Sequence, residues 1–272
     1  MTSVAQLLAG SGLPRAEARL LLAEALDTTV EALIARPEQS VDDDGAARYA
    51  RLRARRVEGE PIAYLRGRKE FHGRDFVLSP AVLVPRPETE LLVDLAMARL
   101  RRRPAPRVLD LGTGSGCIAI TLALECRAAS VVAADRAAEA LAIARDNARR
   151  LGAAVEFMLS DWFSHIEGRF DAIVANPPYL AATDPHLHAL AHEPRQALVA
   201  GPDGLADLRR IVAGAPTHLA PGGWLAVEHG HDQGPTVRGL FGRAGFDAIE
   251  THRDLAGIER ACLGRWAPAG GD

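Results

Sequence analysis

The tetrapeptide Asn176-Pro-Pro-Tyr179 stands at the end of a short β-rich run and carries a sharp chemical signal. Prolines have no backbone N–H and a fixed φ, so two in succession end a strand and leave its last carbonyl groups as rigid acceptors. A planar amide or an exocyclic amine suits this place, because its two N–H bonds can go to the Asn176 side-chain oxygen and the Pro177 carbonyl, under the ring of Tyr179. We therefore predict a substrate NH2 site with its nitrogen aimed in line at an electrophilic sulfonium methyl group. A strand-ending turn with an accidental Asn-Pro-Pro is the alternative.

A glycine loop, Asp110-Leu-Gly-Thr-Gly-Ser-Gly116, stands between a β-rich run and a helical one. Its glycines let the backbone approach a ligand closely, and the following helix start offers free N–H groups and a positive dipole to an anionic group. The spacing is GxGxG, which matches neither the dinucleotide fingerprint GxGxxG nor the Gly-Lys-Ser/Thr ending of a phosphate loop. The loop thus predicts a nucleotide-like ligand, with a glycine-rich packing turn as the alternative.

Asp135 ends the next β-rich run, at the distance from the glycine loop where a carboxylate accepts hydrogen bonds from both ribose hydroxyls. The same position suits a cap for the helix predicted from Ala137 to Leu151, and the two roles are compatible. An NAD-dependent enzyme would use the same acid. Asp135 therefore favours an adenosine ligand without choosing between cofactors.

The scaffold for these residues is predicted from about residue 80 onward, where short β-rich runs alternate with helical stretches of crossover length. The runs are Arg107 to Leu111, Ser130 to Asp135, Val155 to Met158, Phe170 to Val174 and Gly223 to Glu228. The helical stretches are Ile118 to Leu124, Ala137 to Leu151 and Asp203 to Leu219. This alternation predicts a doubly wound α/β fold with a mostly parallel sheet and with ligands at the carboxyl ends of its strands. Two tail runs, Phe246 to Glu250 and Arg260 to Trp266, suit an antiparallel edge.

The first 75 residues have helical spacing instead, and we predict a small N-terminal helical domain over 1–75 followed by a second domain over 76–272. Three helices are expected: Leu7 to Leu26, a second opened by a capping box at Thr28 and Glu31 and running through Ile34, and a third from Asp42 to Gly59. The domain looks too small for a deep core of its own. We therefore expect it to pack on something or to present a face to a partner.

Composition excludes several classes of protein. Of 272 residues, 48% are hydrophobic, which is enough for a real core, and 32 basic against 35 acidic side chains leave a net charge of −3. Bulk electrostatic capture of nucleic acid is therefore not expected. No apolar run approaches the 18 or so residues of a membrane-spanning helix, and the N-terminus lacks a secretory signal, so we predict a cytoplasmic protein.

No metal site is predicted. The three cysteines, Cys117, Cys126 and Cys262, lie far apart without paired metal spacing, which argues against a disulfide framework and a zinc cluster. His186, His188 and His192 form an HxHxxxH pattern in a loop. Because no cysteine or carboxylate completes a convincing ligand set, a solvated loop is favoured over a metal site there.

These motifs together resemble those of class I S-adenosylmethionine-dependent methyltransferases, and more narrowly those of the release factor glutamine methyltransferases, the HemK/PrmC family. The matching stretches span nearly the whole chain: Pro61 to Leu65 with Glu70 to Gly73, Val84 to Glu90, Asp110 to Gly116, Asp161 to Phe163, Asn176 to Tyr179, Glu193 to Arg195 with Gly204-Leu205, and Asp254 to Arg260. The resemblance implies a mostly parallel seven-stranded, Rossmann-like sheet with a small N-terminal helical domain.

The resemblance also implies S-adenosyl-L-methionine as the cofactor, released as S-adenosyl-L-homocysteine. The methionine end of the cofactor belongs to Gly112, Thr113, Gly114, Ser115 and Gly116. Asp135 takes the ribose, Trp162 lies beside the adenine, and the Asp161 carboxylate accepts from the adenine amine. Asn176 lies where cofactor and substrate meet.

For the substrate, the resemblance implies a glutamine side-chain amide held by Asn176, Pro177, Pro178 and Tyr179, of which Asn176, Pro177 and Tyr179 carry the methyl transfer. In this family the glutamine belongs to the Gly-Gly-Gln tripeptide of peptide chain release factors, which the N-terminal domain helps to dock. Neither a membrane nor direct nucleic-acid binding is expected. His72 departs from the pattern, since an aromatic Tyr or Trp is expected there, outside the motifs just assigned.

Two other function classes stay open from the residues alone. An adenine-amine nucleic-acid methyltransferase would share the Asn-Pro-Pro-Tyr motif, but it calls for a basic recognition domain that a net charge of −3 does not suggest. A non-catalytic cofactor-binding module would leave the substrate clamp unexplained. The blocks Val84 to Glu90 and Asp254 to Arg260 favour the release factor enzymes.

Several residues also have plain structural roles to weigh. Trp162 suits a core aromatic after a strand, and Glu88 and Glu90 suit the first turn of a helix over Leu91 to Leu100. A group of arginines on the third helix suits a solvated face or, alternatively, a face that binds a release factor. These are Arg48, Arg51, Arg53, Arg55 and Arg56.

Overall fold

The computed structural model describes residues 2–101 and 103–267, and the chain divides into two compact units, Met1–Lys69 and Glu70–Asp272. The division falls six residues before the predicted one at residue 75. Phe71 and Phe76 explain this difference, because both are almost wholly buried in the core of the second unit and meet edge to face at 6.1 Å. The last five residues of the predicted second domain lie outside the described part of the chain.

The first unit is mainly helical. Its elements are β1 (Thr2–Ser3), α1 (Val4–Ala9), α2 (Arg15–Ala25), α3 (Val30–Ala35), β2 (Ser40–Val41), α4 (Asp43–Val57) and α5 (Ile62–Leu65). The prediction of one helix from Leu7 to Leu26 was wrong, because Gly10, Gly12 with φ +68° and Pro14 separate α1 from α2. The cap of α3 is Thr29, whose hydroxyl accepts from the Ala32 N–H at 3.2 Å, and not Thr28.

The first unit has an apolar core of its own, contrary to expectation. Val4, Leu21 and Leu22 are fully buried, and they share one cluster with Leu33 and Tyr49. Apolar residues of this unit therefore pack against one another in a single cluster.

The arginines of α4 are mostly occupied within this unit. Arg48 pairs with Asp44, Arg55 with Glu60 and Arg56 with Glu17, while Arg53 donates to the Ser11 carbonyl. Arg51 is exposed and has no hydrogen bond or ion pair within residues 2–101 and 103–267. These bonds favour the structural alternative for all but Arg51.

The second unit combines a central seven-stranded sheet with α-helices, most of which connect its strands. Its helices are α6 (Glu90–Leu100), α7 (Cys117–Glu125), α8 (Ala138–Leu151), α9 (Ala206–His218) and α10 (Gly234–Arg243), with short 3-10 turns at Pro87–Thr89, Pro185–His188 and Arg195–Ala197. A hairpin of β3 (Arg68–Phe71) and β4 (Arg74–Val77) begins at the division between the units. The sheet strands are β5 (Arg107–Leu111), β6 (Ser130–Asp135), β7 (Glu156–Leu159), β8 (Phe170–Ala175), β9 (Leu219–Glu228), β10 (Phe246–Arg253) and β11 (Glu259–Trp266).

The strand order of the sheet is β10, β11, β9, β8, β5, β6, β7. Five neighbouring strands run parallel to one another: β9, β8, β5, β6 and β7. Strand β11 is antiparallel to both β9 and β10, which confirms the predicted antiparallel tail. Successive residues of β5 enter different cores: Val108 packs in one cluster, Leu109 and Leu111 in the other. This alternation follows from the pleat of a strand that is buried on both faces.

The order of strands reverses between β5 and β8, because the chain leaves β5 toward β6 on one side and returns to β8 on the other. In open α/β sheets, ligands bind in the crevice at this place, beyond the carboxyl ends of the strands. The glycine loop follows β5, and the Asn-Pro-Pro-Tyr corner, Asn176 to Tyr179, follows β8. No helix within the described ranges is long and apolar enough to cross a membrane.

Candidate active site

The glycine loop turns sharply from β5 into α7. Gly112 and Gly116 have φ values of +73° and +83°, which side chains with a Cβ rarely adopt. A Cβ on Gly112 would lie 3.2 Å from the Trp162 ring, and one on Gly116 would lie 2.8 Å from the Ile120 side chain. Around Gly114, in contrast, no atom lies within 4 Å of such a Cβ. The middle of the loop therefore borders open space, while its two ends are closely packed.

Asp135 holds the glycine loop from β6. Its Oδ2 accepts from the Gly114 N–H at 2.9 Å, and its Oδ1 accepts from the Ala137 N–H at 2.9 Å, just before α8. A carboxylate oxygen has two lone pairs, so both oxygens keep an acceptor position after these bonds. The geometry is thus compatible with a structural role and with a ribose hydroxyl at the same side chain.

Asp110 is a buried acid beneath the loop that the sequence interpretation gave no role. Its Oδ2 accepts from the Thr113 hydroxyl at 2.6 Å and from the Ala119 N–H at 3.2 Å. Its Oδ1 has no partner among residues 2–101 and 103–267. Burial raises the pKa of Asp110 to about 7, although both hydrogen bonds oppose that shift. Asp110 therefore ties the loop to the start of α7.

Trp162 and Asp161 follow β7 and lie on the same wall as the loop. Trp162 is 8% exposed and adopts φ +51°, and its Nε1 donates to Asp207 Oδ1 at 3.0 Å. Trp162 is at once part of the apolar core and part of the pocket wall, and its place beside an adenine stays a prediction. The Asp161 carboxylate pairs with Arg210 at 2.7 Å, and this hydrogen bond lowers the pKa of Asp161. Its role toward an adenine amine stays a prediction.

A hydrogen-bonded chain lies behind the Asn-Pro-Pro-Tyr corner. Asn176 Nδ2 donates to the Thr89 hydroxyl at 3.0 Å, and that hydroxyl donates to Glu228 Oε2 at 2.7 Å. The Tyr179 hydroxyl lies 3.4 Å from Glu228 Oε1 and donates to it. Asn176 Oδ1 is buried and has no partner within the described ranges. Burial raises the pKa of Tyr179 above its ordinary value and that of Glu228 to about 7.

Two adjoining pockets occupy the crevice. The first has an empty volume of about 920 Å³, open mouth included, and the second about 640 Å³. The predicted residues in the first wall are Gly112, Thr113, Gly114, Ser115, Asp135, Asp161, Trp162, Asn176 and Pro178. Those in the second wall are Asn176, Pro177 and Tyr179. Asn176 borders both pockets, whereas Gly116 borders neither and packs against Ile120 and Ala144.

Comparison with known proteins places the chain in a family. Residues 1–67 match the model of the PrmC N-terminal domain, and residues 88–245 match that of the methyltransferase small domain. The release factor glutamine methyltransferase of Bordetella pertussis is 50% identical over 264 residues, covering 96% of this chain and 98% of its own. That of Burkholderia pseudomallei is 48% identical over 273 residues, covering 97% and 96%. The chain belongs to the release factor glutamine methyltransferase family.

A solved structure confirms the fold class of this methyltransferase. The T. thermophilus 16S rRNA N2 G1207 methyltransferase, in complex with AdoMet and guanosine, superposes with a TM-score of 0.54 at 21% identity. The match covers 73% of this chain and 49% of that one. The similarity concerns the fold, a seven-stranded class I methyltransferase sheet, as the resemblance implied.

Several residues at or behind the methyltransferase pockets were missed from the sequence. Thr89, Arg86 and Glu193 lie in stretches that carried the resemblance but received no role. Glu193 is buried, and its carboxylate accepts from the Val84 N–H at 3.0 Å and pairs with Arg86, which borders both pockets. Glu228 had one usable signal, because it is an acid at the carboxyl end of a buried parallel strand.

The histidine loop of the methyltransferase contributes one pocket residue and no metal site. His186 borders the second pocket, and its Nδ1 lies 2.8 Å from Asp184 Oδ1. Among the residues that the structure describes, no group of three or more His, Cys, Asp or Glu is placed to hold a metal ion. His72, at the β3–β4 turn, adopts φ +51°, and its N–H donates to Glu90 Oε1 at 2.9 Å.

Proposed function

We propose that this methyltransferase transfers the methyl group of S-adenosyl-L-methionine to the side-chain amide nitrogen of the glutamine in the Gly-Gly-Gln motif of peptide chain release factors. The observation that carries the proposal is the place of Asn176, which follows β8, borders both pockets and has an unpartnered side-chain oxygen. The names of the relatives from B. pertussis and B. pseudomallei support the choice of substrate.

The first pocket is the proposed site of S-adenosyl-L-methionine. Open space beside Gly114 and the free acceptor positions of Asp135 fit the methionine end and the ribose of that ligand. Thr113 and Ser115 complete the loop wall, Trp162 lies beside the adenine, and Asp161 faces its amine. Gly116 contributes through the shape of the loop, because it does not border the pocket. The AdoMet complex of a protein with the same fold supports this assignment.

The second pocket is the proposed site of the glutamine side chain. Pro177 and Tyr179 border it together with Asn176, and apolar side chains such as Leu190 and Leu198 form much of the remaining wall. One amide N–H of the glutamine donates to Asn176 Oδ1 and the other to the Pro177 carbonyl, while the Tyr179 ring covers the amide plane. Pro178 borders the first pocket and stiffens the turn between the two.

The chemistry is direct substitution. When bound, S-adenosyl-L-methionine would supply an electrophilic sulfonium methyl group and would leave as the neutral thioether, with the sulfur keeping the electron pair of the broken bond. The amide nitrogen that gains the methyl group would release one proton to solvent. An amide nitrogen is a poor nucleophile, so the chain contributes mainly by proximity and orientation. Asn176 and the Pro177 carbonyl fix the direction of the nitrogen, and the stiff turn keeps those acceptors in place.

We assign the docking of the release factor to the first unit, whose residues 1–67 match the PrmC N-terminal domain. Arg51 is the arginine of α4 that stays available for an acidic partner among the residues described there. Reversal of its charge in Arg51→Glu should raise KM for the protein substrate and leave KM for a short glutamine peptide unchanged. Arg53→Glu is not a suitable control, because Arg53 is bonded within the unit.

One assay tests the proposed function. Purified chain is incubated with methyl-labelled S-adenosyl-L-methionine and, side by side, with a release factor, with the same factor in which the Gly-Gly-Gln glutamine is alanine, and with adenine-containing DNA. Label in the first sample alone is the expected result. Label in the DNA sample would support an adenine-amine methyltransferase. Label in none of the samples would contradict the proposed function and favour a non-catalytic cofactor-binding module.

A further inference from the structure

We infer that Glu228 and Thr89 are positioning residues that hold the Asn176 amide with its oxygen toward the substrate. This inference rests on the proposed function, because it concerns the acceptor that Asn176 offers to the glutamine amide. Thr89 borders the first pocket but not the second, and Glu228 borders neither pocket. Toward the glutamine amide, both residues therefore act through Asn176.

The direction of the hydrogen-bonded chain follows from its last member. An ionised carboxylate can only accept, and Glu228 accepts on both oxygens, from Thr89 at 2.7 Å and from Tyr179 at 3.4 Å. The Thr89 hydroxyl has one hydrogen, which is used toward Glu228, so it presents a lone pair to Asn176. Asn176 must then offer its NH2 group to Thr89, at 3.0 Å, and its oxygen lies on the other side.

The alternative orientation of Asn176 would oppose the reaction. If the group at position 228 could donate, the Thr89 hydroxyl would be free to turn its hydrogen toward Asn176, and the amide would be stable with its oxygen toward Thr89. The substrate NH2 would then meet another NH2, and one of its two acceptors would be lost. Such a loss of orientation costs about tenfold to a hundredfold in the rate of an aligned transfer.

The surroundings of Glu228 decide when it is ionised. Arg260 of β11 favours the charged form, Glu88 before α6 disfavours it, and the hydroxyls of Thr89 and Tyr179 stabilise it. Burial lowers the pKa of the neighbouring His229 and raises that of the buried Cys117 thiol to about 12, so it disfavours the charged form of both groups. Burial dominates and raises the pKa of Glu228 to about 7. The orientation of the Asn176 amide, which requires the ionised Glu228 carboxylate, is therefore lost as pH falls through about 7.

The test compares Glu228→Gln and Thr89→Val with Thr89→Ser, using S-adenosyl-L-methionine and a release factor as substrates. Glu156→Gln, an exposed acid of β7, and Thr121→Val, a buried hydroxyl without a partner in the described chain, are the matched controls. We expect kcat to fall tenfold to a hundredfold in Glu228→Gln and Thr89→Val, with KM for the release factor within about twofold in both. Cofactor Kd should stay within about twofold in Glu228→Gln, whose residue borders neither pocket. Thr89→Ser should keep kcat within about threefold, and the controls should match the wild type.

Two further readouts separate positioning from a structural role. The double variant Glu228→Gln/Thr89→Val should be no slower than the worse single variant, because both changes remove the same orientation. The wild-type kcat should decline as pH falls through about 7, whereas Glu228→Gln should lose that decline. Thermal unfolding of each variant checks that it is folded.

The outcomes are distinguishable from those of the proposed function. If wild-type enzyme methylates the release factor and folded Glu228→Gln keeps kcat within twofold, the positioning role is overturned while the proposed function stands. If Glu228→Gln does not fold, Thr89→Val decides, since wild-type kcat in that variant also overturns the role. If the wild type methylates no release factor, the proposed function fails first, and the inference fails with it.

Discussion

The glycine loop and the Asn-Pro-Pro-Tyr corner lie at the same edge of the sheet but are held in different ways. The loop is fixed by acids near it in sequence: Asp110 bonds residues three and nine positions away, and Asp135 a residue 21 positions away. The corner depends on distant partners. Asn176 and Thr89 are 87 positions apart, and Thr89 and Glu228 are 139 apart. The proposed cofactor side is therefore built locally, whereas the proposed substrate side is built by the fold.

Both regions contain one buried acid whose pKa is raised to about 7, Asp110 under the loop and Glu228 behind the corner. The two acids differ in the groups that they hold by hydrogen bonds. Asp110 bonds a hydroxyl and a backbone N–H that shape the loop, while Glu228 bonds two side chains that reach the corner. The difference leads to separable kinetic signatures: changes at the loop should alter cofactor binding and stability, and changes at the corner should alter turnover.

The largest expected effect is that of Asn176→Ala at the corner. Removal of the acceptor should lower kcat by about a thousandfold, the upper range for one preorganised polar group in an active site. Cofactor Kd should stay within a few-fold, because the loop and Asp135 are untouched. Single-turnover rates and equilibrium titration with S-adenosyl-L-methionine measure the two quantities. A fully active Ala variant would remove the assignment of the corner.

Gly116→Ala should be the most damaging change within the loop. The new Cβ meets a φ of +83° and would lie 2.8 Å from Ile120, so strain and overlap together should cost about 3 kcal/mol of unfolding free energy. Gly152→Ala is the matched control, since its φ is +70° but no atom lies within 4 Å of the added Cβ. Its cost should be about 1 kcal/mol, the backbone part alone. Urea unfolding compares them, and equal costs would show that packing at Gly116 is unimportant.

Asp135→Asn should weaken cofactor binding while sparing turnover. The substitution removes the charge and one acceptor oxygen, and hydrogen bonds to charged groups contribute about 1.5–3 kcal/mol, so Kd should rise by about tenfold to a hundredfold. At saturating cofactor, kcat should stay within a few-fold. Glu139→Gln, an exposed acid in the first turn of α8, is the control for lost charge. An unchanged Kd in Asp135→Asn would restrict Asp135 to its structural role.

The effect that is smallest for each measured step concerns pH and Asp110, because it amounts to at most about 1.4 kcal/mol per pH unit. Its pKa is about 7 in the folded chain and about 3.9 when unfolded, so between these values the unfolded chain releases a proton that the folded chain keeps. Stability therefore falls as pH rises through this window, by at most about 1.4 kcal/mol per pH unit from this group. Asp110→Asn should flatten the dependence of unfolding free energy between pH 4 and 7, while Asn at the exposed Asp75 should not. An unchanged slope in Asp110→Asn would show that Asp110 is already ionised in this range.

Much of the sheet could be predicted from the sequence, because its inner strands are continuous apolar runs bounded by turns. Arg107 to Leu111 and Ser130 to Asp135 were predicted with the bounds that the structure has. The elements that were missed have weak local signals. Helix α10 begins with Gly-Pro and contains two further glycines, yet it forms because Val237 and Phe241 are fully buried. The hairpin of β3 and β4 was hidden inside a stretch interpreted as helical.

The sequence by itself determined which chemical groups this protein brings to the crevice: a glycine loop, an acid at the end of β6, and a proline-stiffened Asn-Pro-Pro-Tyr corner. These are local properties, since backbone freedom and missing N–H groups belong to the residues themselves. The sequence predicted that Asn176 offers its oxygen to the substrate, but only the tertiary structure supplies the partners that hold the amide in that orientation. The two ends of an amide are nearly the same size, so their orientation depends on hydrogen-bond partners, and here those partners, Thr89 and Glu228, come together only when the sheet has formed.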